Sequence, residues 1–103
     1  MRTVRLSRTA LDQLNTLLAQ GVERFGVRIV AEKRDRVYAV IERFLAAHPA
    51  IKRPHPLLGL CVYPIIRTPF VVLYDFDDVE LRVHFIFHRH ADLRQLDPTS
   101  VEW

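Results

Sequence analysis

The sequence predicts an α+β domain. An N-terminal strand and an antiparallel helical hairpin come first, and a three-stranded antiparallel meander follows. Three observations predict it. Apolar residues recur at helical spacing over about residues 8–24 and 28–47. Beyond residue 57 the chain changes to runs of β-branched and aromatic residues separated by turn residues. No repeat, low-complexity segment or linker interrupts the 103 residues, so 1–103 reads as a single domain.

Thr3-Val4-Arg5-Leu6 reads as a first short strand. Ser7 stands where a helix N-cap belongs, because its oxygen can accept from the free N–H groups of a first turn. Ala10, Leu11, Leu14, Leu17, Leu18 and Val22 then form the stripe of a helix over about 8–24. Phe25-Gly26 is the turn, with Gly26 free to take a left-handed C-cap conformation. A second helix is expected over about 28–47, with Val30, Val37, Ile41, Phe44 and Leu45 on its apolar side. The short link makes the pair a hairpin. His48-Pro49 ends it, since a residue before proline avoids the helical region.

Ala50 to Pro56 is a loop holding Lys52-Arg53-Pro54-His55, the densest basic turn in the chain. Leu58 to Ile66 is apolar on both faces, as an interior strand would be, but Pro64 argues for an edge or a bulge. Phe70 to Phe76 is a second strand of the meander. The last, Leu81 to His90, alternates. Period two puts Leu81, Val83, Phe85 and Phe87 on a core face, and Arg82, His84, Ile86, His88 and His90 on the other. That second face is where chemistry or a partner is expected. The tail from Ala91 to Trp103 has room for one short helical turn before Asp97-Pro98.

Composition excludes several classes. Cys61 is the only cysteine, so no internal disulfide forms, and its place in an apolar run suits a buried small residue in a reducing compartment. No signal peptide is legible, and the longest apolar stretch is about ten residues, against roughly 20 for a span. The expectation is a soluble, cytoplasmic protein. The net charge of +3 suits nucleic acid, an acidic partner or neither. No metal site or cofactor is expected. His84 and His88 lie roughly 13 Å apart along a strand, and no cysteine or carboxylate pair completes a set. Asp75, Asp77, Asp78 and Glu80 fall at a hairpin turn, where aspartates satisfy local N–H groups.

Several segments together resemble one family. They are Val4-Arg5-Leu6-Ser7 with Ala10, Leu11, Leu14 and Leu17; then Phe25-Gly26, Ala31, Ile41, Leu45 and Pro49. Tyr63, Pro69 to Tyr74, Val79-Glu80-Leu81, and Phe85-Ile86-Phe87-His88 with Arg89 and Asp92 continue the series. In this order and spacing, over about residues 3–94, the chain resembles the RelE/ParE superfamily of bacterial type II toxin–antitoxin toxins. The resemblance implies a helical hairpin on a twisted antiparallel sheet and an antitoxin segment wound around the toxin. It also implies one of two activities. ParE-like members inhibit DNA gyrase, and RelE-like members cut mRNA on the ribosome. The long hairpin and the Phe25-Gly26 turn favour the ParE side.

On the RelE side, members rely on sheet lysines and arginines, often with a late tyrosine. This chain has no tyrosine after Tyr74 and offers Arg67, Arg82, His84 and His88 instead. Attack by a 2′-hydroxyl needs a base, an acid and a cation for the phosphate, roles that histidine and arginine can fill. For a target or a ParD-like antitoxin, the expected contacts are Lys52, Arg53, Arg89, His90, Arg94 and Trp103. Each has a plainer reading as a solvated side chain, and Trp103 needs a core or a partner to pack on. A basic toxin suits an acidic antitoxin in a hetero-oligomer.

Overall fold

The computed structural model describes residues 1–103. Strand β1 (Thr3–Leu6) leads through Ser7 into helix α1 (Arg8–Phe25). Helix α2 (Val27–Ala39) follows and continues as a π-helical segment, Val40–Leu45. Strands β2 (Cys61–Pro64), β3 (Phe70–Phe76) and β4 (Glu80–His88) complete the sheet, and Leu93–Gln95 forms a 3-10 turn in the tail. The sheet order is β1-β4-β3-β2. β1 runs parallel to β4, while β2, β3 and β4 form the antiparallel meander.

The local signals act as their chemistry requires. Ser7 Oγ accepts from the Ala10 N–H at 2.8 Å and donates to the His84 carbonyl at 2.7 Å. One buried hydroxyl thus starts α1 and fastens it to β4. Gly26 closes α1 with φ 87 and ψ 162, its N–H bonded to the Val22 carbonyl. That is the positive-φ region open to glycine, though more extended than a left-handed helical cap. Gly21 sits inside α1 where a Cβ would lie 3.2 Å from Val30 Cγ2, so its absence lets the two helices close.

Three expectations are corrected. The second helix does not run regularly to residue 47. The Ala46 N–H bonds to the Ile41 carbonyl, five residues back. The extra residue in that turn lets Ile41, Leu45 and Ala46 all be fully buried, and the Phe44 ring packs at a tilt against Tyr63, centroids 5.8 Å apart. The strand expected from Leu58 begins at Cys61 and is an edge strand, as Pro64 requires. The face assignment of the last strand fails halfway along. Tyr74 pairs with Val83, but Leu73 pairs with Phe85, so His84 is an extra residue in β4. This bulge flips the alternation. Leu81, Val83 and Ile86 face the helices, while Phe85 and Phe87 face away.

Two cores result. The larger lies between helices and sheet and holds Leu14, Val37, Ile41, Leu45, Val72, Tyr74, Leu81, Val83 and Ile86. The smaller lies on the opposite sheet face, where Leu60, Val71, Leu73 and Phe85 are covered by Leu58, Leu93, Leu96 and Val101. The tail is therefore a strap across the second sheet face. Its far end is fixed where the Glu102 carbonyl accepts from the Thr9 N–H and the Glu102 N–H donates to Thr9 Oγ1.

Candidate functional site

A groove of about 500 Å³ opens between the helical hairpin and the β2–β3 turn. Its walls come from the second half of α1, the first half of α2, residues 67–70 and the end of β4. Leu17, Leu18, Phe25, Ile29, Val30 and Phe70 make the apolar part. Phe25 is 57% exposed and Ile29 44%, because the hairpin tip overhangs the sheet and nothing in the chain covers it.

Four cations border this surface: Arg24, Lys33, Arg67 and Arg89. None of them is in an ion pair, and no aspartate or glutamate lines the groove. Arg24 lies over the Phe25 ring at 5.5 Å. His88 also lines the groove and is its only histidine. An apolar floor with unpaired cations on the rim can hold apolar side chains and carboxylates together.

The opposite sheet face has a different character. Arg82 is held by Asp75 and Asp77 at 2.8 Å each and by Glu80 at 3.3 Å. The Arg82 guanidinium first, and the Val79 and Glu80 N–H groups next, hold the Asp77 carboxyl down to a pKa of about 2. His84 projects from the bulge beside Asp75, its Nε2 3.2 Å from Asp75 Oδ1. The alignment is poor for a hydrogen bond, and both ring nitrogens lack a partner. Trp103 packs its ring edgewise against His84 at 4.8 Å and lies under the Arg5 guanidinium at 4.9 Å.

The structure thus separates residues that the sequence placed together. Arg67 and His88 line the groove, whereas on the other side of the sheet Arg82 is held by the β3–β4 carboxylates and His84 lies against Trp103 of the strap. Of the expected binding residues, Arg89 is in the groove. His90 stands beside His88, with ring centroids 5.2 Å apart. Arg94 pairs with Asp92 at 3.1 Å in the tail, and Lys52 and Arg53 stay exposed in the loop before β2. Trp103 packs on its own chain, 44% exposed. Sequence reading missed Arg24, Lys33, Phe25 and Ile29. The signal available was the Phe25-Gly26 turn itself, since cations and apolar residues on both sides of a hairpin turn converge.

No protein-family model matches the sequence, and no curated protein matches it either. Among solved structures, a chain of the chromosomal ParDE TA system from P. aeruginosa matches with a TM-score of 0.69. The match covers 85% of this chain and 96% of that chain, at 16% sequence identity. The chain therefore shares its α+β fold with that chain of the ParDE system.

Proposed function

We propose that this chain is the toxin of a type II toxin–antitoxin system, ParE-like, that arrests growth by poisoning DNA gyrase in the cytoplasm. A ParD-like antitoxin neutralises it in a hetero-oligomer. The observation that carries the reading is the shared fold with a chain of a ParDE system over nearly that chain's whole length. The groove supports the antitoxin part of the reading. Four unpaired cations around an apolar floor suit an acidic amphipathic segment. The gyrase part rests on the sequence resemblance to the ParE side of the superfamily. No helix is long and apolar enough to cross a membrane.

The ribonuclease reading requires Arg67, Arg82, His84 and His88 to act on one phosphate. They lie on two sides of the sheet, and three carboxylates already satisfy Arg82. The gyrase reading needs no such set. Induced expression in a bacterial host should arrest growth, and the double variant His84→Ala with His88→Ala should still arrest it. A folded double variant that has lost toxicity would return the function to a nuclease.

A further inference from the structure

Arg67 is the one non-glycine residue with positive φ, at 66°. The Thr68 N–H donates to the Ile65 carbonyl at 3.2 Å, so residues 65–68 form a four-residue turn with Arg67 third. Positive φ at the third position alone is the type II form, which favours glycine there. A side chain in that conformation is disfavoured and persists only where its surroundings fix it.

Here they do, from several directions. Thr68 Oγ1 donates to the Ile65 carbonyl at 2.9 Å and accepts from the Phe70 N–H at 3.1 Å. Arg36 Nε donates to the Ile66 carbonyl at 2.6 Å, and Lys33 Nζ donates to the Arg67 carbonyl. Two cations of α2 thus hold the two carbonyls at the turn's tip. The Arg67 guanidinium makes no hydrogen bond or ion pair, although it borders the groove together with Arg89. A turn with glycine at this position would be easier to form. The arginine adds only a side chain, aimed at a carboxylate-free surface.

We infer that Arg67 is a pre-set carboxylate-binding residue. With Arg89 it grips an aspartate or glutamate on an acidic amphipathic segment of a protein partner, whose apolar side chains fill the floor. Under the toxin–antitoxin reading, on which the partner's identity rests, that partner is the antitoxin. Guanidinium forks hold carboxylates bidentately, and the backbone restraint removes part of the ordering cost. The apolar floor favours a peptide over a phosphate backbone.

The test uses the full chain and two labelled synthetic peptides of about 20 residues. One is an amphipathic helix former with leucines at i, i+4 and i+7 spacing and flanking glutamates. Its twin carries glutamines instead. Fluorescence anisotropy should show the wild-type chain preferring the glutamate peptide by about tenfold or more. In Arg67→Gly the preference should fall within about threefold, while the melting temperature stays equal or rises, because glycine takes this φ freely. An Arg67→Gly variant that keeps the tenfold preference would show Arg67 to be structural only and overturn the inference. Binding of both peptides without preference would overturn the carboxylate grip and leave the groove as an apolar site. Binding of neither peptide, with Arg67-dependent binding of a single-stranded RNA oligonucleotide, would replace the peptide by nucleic acid. The readout is independent of gyrase, so failure of gyrase inhibition would not mimic any of these results.

Discussion

Tyr74 is a large polar side chain with no exposed surface, and it stays because its hydroxyl donates to the Pro49 carbonyl at 2.7 Å. Tyr74→Phe leaves that carbonyl without its partner and should lower unfolding stability by about 1–2 kcal/mol in denaturant titrations. Burial first, then the neighbouring Cys61, pushes the phenol above its ordinary pKa. A raised folded pKa stabilises below the unfolded value of about 10 and the benefit is lost as pH rises, so alkaline unfolding should begin early and be blunted in Tyr74→Phe. Asp77 works in the opposite sense. Its folded pKa of about 2 lies below the ordinary value, so its contribution is present above about pH 4 and lost as pH falls towards 2. In Asp77→Asn, stability measured against pH should flatten across that window. The sequence showed half of this site. Asp77 does serve the Val79 and Glu80 N–H groups of its turn. That the same carboxylates neutralise Arg82 follows from the hairpin register, which residue order alone does not set.

The joint between α1 and β4 depends on Ser7. Ser7→Ala removes a helix cap and a buried bond to the bulge residue's carbonyl together, and should cost about 1–3 kcal/mol by chemical denaturation. Ser7, the hairpin turn and the meander were all legible, because each has a local signature in capping chemistry, glycine placement or alternation. The bulge was not. An inserted residue leaves the pattern before and after it intact and only exchanges the faces, so alternation alone puts Phe85 and Phe87 on one face with Leu81. The π-helical turn escaped for a related reason: its single extra residue is visible only once Leu45 and Ala46 are both seen in the core. The groove was only partly legible, as Arg24, Lys33, Arg67 and Arg89 come from four separate segments that tertiary packing brings together.

At the scale of the whole molecule the sheet divides two environments. One side packs on the helices and opens into the basic groove, and the other is closed by the strap. Trp103 ends that strap by lying under Arg5 and packing edgewise against His84. Trp103→Ala should raise amide exchange at Thr9 and Glu102 and leave the main core protected, as hydrogen–deuterium exchange would show. Unpaired cations gather in the groove, where an acidic segment would find them. The claim that joins fold to function is the action on gyrase. The most direct measurement is supercoiling of relaxed plasmid by purified gyrase, with increasing amounts of the purified chain. The expected result is loss of supercoiling with accumulation of cleaved DNA, and no change in mRNA on programmed ribosomes. Undiminished supercoiling together with cut mRNA would contradict it.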